Sequence, residues 1–169
     1  MECGNKLTLK YEENEGMVPY CELCQAYRYP MFNDAASSIT LNKSLDQVLL
    51  IKQYGRNANI LVAGYLSQGE TPIEALIREI KEEVSLKVVA YAYNDSCYYA
   101  KSNSLLHNFL TIVDDTNFTL KIDEVDAAAW FPIDKAREAI LANSLASQFL
   151  NQALDKLEKQ RIIFENSNK

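Results

Sequence analysis

The segment from Thr71 to Val84 constrains this chain more than any other. On a wheel of about 100° per residue, Ile73, Leu76, Ile77, Ile80 and Val84 fall on one apolar face, while Glu79, Glu82 and Glu83 crowd another. Thr71 suits the N-cap and Pro72 the first helical position, so the spacing predicts a helix over 71–84. Such a helix must bury its apolar side against a sheet or a second helix. Its three carboxylates are neighbours at i, i+3 and i+4 and repel one another unless a cation lies between them. Hard divalent ions with oxygen ligands, Mg²⁺ or Mn²⁺, are the natural occupants. Lys81-Glu82-Glu83 alone would read as a solvated charged face, so the wider context has to decide.

Short strand-like runs bounded by Asn, Asp and Gly precede the helix at Ser38–Leu41, Gln47–Ile51 and Ile60–Ala63. Further strands are expected at 87–93, 105–113 and 127–131, then helices at 134–141 and 144–162, with residues from Glu165 onward frayed. Strands with helices before and after them point to an α/β sandwich with a mixed sheet. No Gly-x-Gly-x-x-Gly marks a strand-to-helix turn, which argues against a doubly wound dinucleotide fold.

The 169 residues, 48% hydrophobic, suffice for one main domain and a small appendage. No apolar run approaches the roughly 20 residues that span a bilayer. Met1–Lys6 lacks the apolar stretch of a signal peptide, so a reducing, cytoplasmic setting is expected. A net charge of −6 argues against binding a nucleic-acid backbone, although a metal would let an acidic protein hold a small polyanion. Cys3, Cys21, Cys24 and Cys97 are present, and Cys21-x-x-Cys24 in such a setting reads as metal or redox chemistry. Cys97 reads as a buried or partly buried free thiol.

The helix belongs to a longer string: Gly64, Glu70, then Arg78-Glu79-Ile80-x-Glu82-Glu83-x-x-Leu86. Chance would produce it in about one chain in several hundred thousand of this length, and amphipathicity requires neither Gly64 nor Glu70. The string resembles the signature of the Nudix hydrolases, over Phe32 to about Phe164. The resemblance implies an α/β/α sandwich in which water attacks a nucleoside diphosphate linked to another group. By position it makes Glu79, Glu82 and Glu83 metal-binding or base carboxylates, and pairs Arg78 with Glu70 to brace the loop. The departure is Ser85, where the pattern has Gly; a left-handed turn there costs Ser on the order of 1 kcal/mol.

Cys21-x-x-Cys24 followed by Tyr29-Pro30 resembles the NADH pyrophosphatase branch, which carries a zinc ribbon ahead of its Nudix domain. The resemblance divides the chain into a zinc-ribbon-like segment, 1–31, and a Nudix domain, 32–169. It implies Zn²⁺ on Cys3, Cys21 and Cys24, with a fourth Cys expected just ahead of Met1. It makes the carbonyl of Ala63 and the carboxylate of Glu124 further ligands of the catalytic metals. It offers Tyr29 and Tyr65 as rings that stack nicotinamide, and brings Ala146, at the start of the last helix, to the nucleotide. Lys52 and Arg56 are candidate phosphate contacts, and His107, the single histidine, reads as structural or surface. The branch's Ser-Gln-Pro-aromatic-Pro signature is absent around Tyr99–Leu106.

The leading expectation is hydrolysis of NAD(H) to nicotinamide mononucleotide plus AMP, with Mg²⁺ or Mn²⁺. ADP-ribose or another nucleoside diphosphate derivative is the alternative substrate, and a non-catalytic nucleotide sensor the alternative class. The resemblance also implies a homodimer.

Overall fold

The computed structural model describes residues 3–121 and 123–167. The chain divides into two compact units, Met1–Phe32 and Asn33–Lys169. The first is a three-stranded antiparallel sheet of β1 (Thr8–Glu12), β2 (Gly16–Cys21) and β3 (Ala26–Tyr27). Val18, Tyr20 and Cys21 are its buried hydrophobic side chains. The Tyr20 ring meets Tyr27 edge-on at 5.0 Å, with the Lys10 ammonium 4.0 Å from the Tyr20 ring centre.

The second unit is built on a seven-stranded mixed sheet. Its strands are β4 (Asn33–Leu41), β5 (Gln47–Gln53), β6 (Val62–Tyr65), β7 (Val88–Tyr99), β8 (Ser104–Val113), β9 (Val125–Pro132) and β10 (Glu165–Asn166). The order is β10-β7-β8-β4-β5-β9, with β6 paired to β4; β4 and β8 run parallel and the other pairs antiparallel. The fold is α/β. Helix α1 (Pro72–Val84) lies on one face, while α2 (Ile133–Ala139) and α3 (Leu145–Glu158) lie on the other.

Side-chain alternation produces the two faces. Ala36, Leu49, Ile51 and Val62 point to the core under Leu76, Ile80 and Val84 of α1. Their neighbours Leu41, Val48, Leu50 and Leu61 point the other way, onto Ala136 of α2 and Phe149, Leu150 and Leu154 of α3. Burial of this completeness means that truncating Ile80 or Leu150 to Ala would cost about 2–5 kcal/mol. Several polar residues inside are paired with one another. Ser38 Oγ lies 2.7 Å from Thr111 Oγ1, and Asn108 Nδ2 donates to Ser37 Oγ at 2.8 Å. Asn94 donates to Asn108 Oδ1 at 2.8 Å and to the Phe149 carbonyl at 3.1 Å, tying α3 to the sheet.

The ends of the elements depart from the sequence reading in places. The last helix stops at Glu158, not Ile162, and Glu165–Asn166 is not frayed but pairs with Tyr91 and Ala90 at the sheet edge. A two-residue edge strand carries no periodicity to read. No helix among the described residues is long and apolar enough to cross a membrane.

Candidate functional site

Helix α1 starts where its capping residues dictate. Thr71 is the N-cap, its hydroxyl accepting from Glu74 N–H, and Glu74 reaches back to Thr71 N–H at 3.1 Å. It ends at Ser85, in the left-handed conformation (φ 57°), whose N–H donates to the Lys81 carbonyl. The departure from Gly at this position therefore keeps the turn and carries its strain.

The loop from β6 into α1 is held by Arg78. Its Nε donates to Glu70 Oε1 and its Nη2 to Glu70 Oε2, both at 2.9 Å, a two-point clamp with little freedom to rotate. Nη2 also donates to the Tyr65 carbonyl at 3.1 Å, and Glu70 Oε2 accepts Ser67 N–H at 2.9 Å. Hydrogen bonding from Arg78 holds the Glu70 carboxyl below its usual range and raises the guanidinium further.

Gly64 lies directly under Glu79. A Cβ added there would overlap the Glu79 carboxyl carbon and Oε1. Glu79 Oε1 accepts from Arg78 Nη1 at 2.6 Å, and Glu82 Oε2 lies 3.5 Å from the same nitrogen. Glu83 points inward, 3% exposed, and accepts from Gln53 Nε2 at 2.7 Å through Oε1. Its other oxygen is buried without a hydrogen-bond partner. Burial first, then the charges of Glu79 and Glu124, push the Glu83 carboxyl up to about 7 against the opposing Gln53 bond. Glu124, just ahead of β9, is held by Lys121 at 2.8 Å. Gln53 reaches Glu83 from the bulge between Lys52 and Gln53 on β5. The sequence reading passed over Gln53, since a strand-end Gln carries no signal of its own.

Glu79, Glu82, Glu83 and Glu124 supply the hard oxygen donors that Mg²⁺ or Mn²⁺ prefers, and the unpartnered Glu83 oxygen is an atom a cation would satisfy. Ala63 lies on β6 beside Gly64. Tyr65 is 58% exposed and lines a polar cavity of about 620 Å³ with Asp34 and Glu70. Ala146 is not brought to these carboxylates within the chain; it packs in the first turn of α3, on the opposite sheet face. Lys52 donates to Asn57 Oδ1 at 2.6 Å, and Arg56 N–H to the Gln53 carbonyl at 3.2 Å. His107 lies in β8 with Ser96 against its Nδ1. Cys97 is half-buried, its thiol near the Tyr98 carbonyl.

In the first unit, the sulfurs of Cys3, Cys21 and Cys24 lie within 4.8 Å of one another. Among the described residues no other group of three metal-capable side chains converges so tightly. The Cys24 N–H donating to its sulfur lowers the Cys21 thiol to about 7, whereas hydrogen bonding to Cys3 pushes Cys24 up to about 11. A thiophilic cation binds such sulfurs as thiolates, so its binding would release their protons. Tyr29 is exposed and lines a cavity of about 320 Å³ with Cys3 and Cys21.

The NUDIX domain family model matches residues 31–152. The chain belongs to the Nudix family. Similar curated proteins include the NAD-capped RNA hydrolase NudC of Vibrio atlanticus, 26% identical over 95% of this chain and 59% of the relative. The protein of the same name from Pseudomonas aeruginosa is 26% identical over 88% of this chain and 54% of its own length. The chain thus spans little more than half of these relatives. Among solved structures, a NUDIX hydrolase from Nitrosomonas europaea superposes with a TM-score of 0.70 at 19% identity, covering 94% of this chain and 90% of that one. A NUDIX family hydrolase from Clostridium perfringens superposes with a TM-score of 0.61 at 19% identity, over 76% and 99%. These likenesses establish the fold.

Proposed function

We propose that this Nudix hydrolase cleaves the diphosphate of NAD(H), giving nicotinamide mononucleotide and AMP, with Mg²⁺ or Mn²⁺ bound by Glu79, Glu82, Glu83, Glu124 and the Ala63 carbonyl. The observation that carries the reading is Glu83 on the helix of the Nudix string: a buried carboxyl with one unpartnered oxygen, under the charges of Glu79 on the same helix and Glu124 ahead of β9. Metal bound there would orient a water and offset charge developing on the leaving phosphate. The chain's own residues do the rest. Arg78 fixes the Glu70 loop, Gly64 leaves room for Glu79, and Gln53 orients Glu83 while leaving its second oxygen free.

The names of the similar proteins support a substrate with an NAD end. Because those names include capped RNA, the 5′ NAD end of an RNA stands as a second substrate, which the net charge of −6 had counted against. ADP-ribose remains the alternative among small molecules. Segment 1–31 is assigned as the zinc-ribbon-like part, with Zn²⁺ on Cys3, Cys21 and Cys24, and 32–169 as the catalytic domain. The convergence of the three sulfurs supports that assignment. Tyr29 and Tyr65 are assigned to nicotinamide stacking and Ala146 to nucleotide contact, and the protein is assigned as a cytoplasmic homodimer.

The test is a panel of NADH, NAD⁺, ADP-ribose, diadenosine polyphosphates, nucleoside triphosphates and NAD-capped RNA, with products identified in Mg²⁺ and in Mn²⁺. Reduced nicotinamide mononucleotide plus AMP from NADH, and nicotinamide mononucleotide plus AMP from NAD⁺, are expected. A preference for ADP-ribose of about tenfold or more in kcat/KM, equivalent to about 1.4 kcal/mol, would replace the NAD(H) reading.

A further inference from the structure

The single histidine of the chain sits inside a line of four polar side chains. Tyr93 OH lies 2.7 Å from Ser96 Oγ, Ser96 Oγ lies 3.0 Å from His107 Nδ1, and His107 Nε2 lies 3.5 Å from Asp34 Oδ1. Strand pairing assembles it. Ser96 of β7 is opposite His107 of β8, His107 is opposite Ala36 of β4, and Asp34 precedes Ala36 by one alternation on the same face. Ala36 and Phe109 belong to the core beneath α1, so the line runs along the α1 face of the sheet.

Donor and acceptor capacity sets its direction in the neutral imidazole. Tyr93 donates to Ser96, Ser96 donates to Nδ1, and the Nε2–H points at Asp34. Asp34 is therefore the terminal acceptor. Its Oδ1 is buried without a hydrogen-bond partner, His107 Nε2 being 3.5 Å away, while the side chain as a whole stays 44% exposed, so its outer edge is open. That edge lines the 620 Å³ cavity shared with Tyr65, Ser67 and Glu70. The Asp34 carbonyl accepts Leu66 N–H at 3.0 Å, which fixes the aspartate against the loop that Arg78 braces.

The cavity is of a size that takes a nucleoside-sized group. Its charged side chains, Asp34 and Glu70, are acidic, and Glu70 is already saturated by Arg78 and Ser67. A phosphate would be repelled there, whereas a carboxylate with a free edge accepts from hydroxyl groups. We infer that Asp34, held by His107, is a specificity-determining residue that accepts hydrogen bonds from the ribose hydroxyls of one nucleoside half of the substrate in this cavity. The inference deepens the proposed function and rests on it for the identity of the ligand. The long His107–Asp34 contact is of the kind that tightens when a ligand engages the carboxylate.

Because there is one histidine, its imidazole resonances report on the site without ambiguity. The experiment titrates AMP and nicotinamide mononucleotide, at millimolar concentration and without divalent metal, against the full chain carrying isotope-labelled histidine. AMP or nicotinamide mononucleotide should shift the His107 resonances, and 2′,3′-dideoxy-AMP should bind about tenfold more weakly or worse. In Asp34→Ala, which removes the acceptor, the ribo and dideoxy forms should bind alike, with an unchanged amide spectrum elsewhere. Equal binding of the two forms by the wild-type chain, or no movement of His107 with either mononucleotide, overturns the inference. Hydrolysis of NADH is not needed for this readout, so loss of the catalytic reading and loss of the ribose subsite are separately visible.

Discussion

Gly64 and Glu79 are in such close approach that no side chain fits between them. A glycine six residues upstream of Glu70 is thus required by the position of a carboxylate on the following helix, not by a turn. Gly64→Ala should displace Glu79 and lower kcat by about tenfold to a hundredfold, the scale of a misplacement near 1 Å. Thermal unfolding should change far less than activity; an active Gly64→Ala enzyme would show that Glu79 need not stand there.

Glu83 makes stability depend on pH in the metal-free protein. Its folded pKa, about 7, lies above the ordinary carboxyl value of 4.5, so the folded state holds the proton more tightly. The resulting stabilisation is fully present below pH 4.5 and is lost as pH rises toward 7. The limit is on the order of 3 kcal/mol at 1.36 kcal/mol per unit. Denaturant melts in chelator should therefore show wild type losing stability from pH 5 to 8 relative to Glu83→Gln. Parallel profiles for the two proteins would contradict the buried, unpaired carboxyl.

Ser85 ends α1 in a left-handed conformation that glycine adopts without strain. Ser85→Gly should stabilise the fold by up to about 1 kcal/mol, the left-handed cost partly offset by glycine's greater unfolded-state entropy. Chemical denaturation measures this, and activity should be unaltered.

Arg78 holds both oxygens of Glu70 and the Tyr65 carbonyl, which a lysine ammonium cannot reproduce in one plane. Arg78→Lys should cost on the order of 1–2 kcal/mol of stability and reduce kcat/KM. An Arg78→Lys protein with both unchanged would show the loop braced by other contacts.

Helix α1 was legible because its information is local. Thr71 and Pro72 set the start, and the face with Glu79, Glu82 and Glu83 follows from spacing alone. Gln53 and the Asp34–His107–Ser96 line were not, because the first exists only through the packing of β5 against α1 and the second only through the pairing of β4, β7 and β8. His107 read as structural or surface for the same reason; its partners are 11 and 73 residues away. The three strands of the first unit were also hidden, since a sheet that small buries too few residues to leave an alternating pattern.

Turnover of NADH by Glu83→Gln in Mg²⁺ and Mn²⁺, beside wild type under the same conditions, tests the central claim most directly. The substitution keeps shape and the Gln53 neighbourhood but removes the carboxylate charge. The account predicts a loss of kcat of several orders of magnitude with the fold intact by circular dichroism. Near-normal turnover in that variant would contradict it.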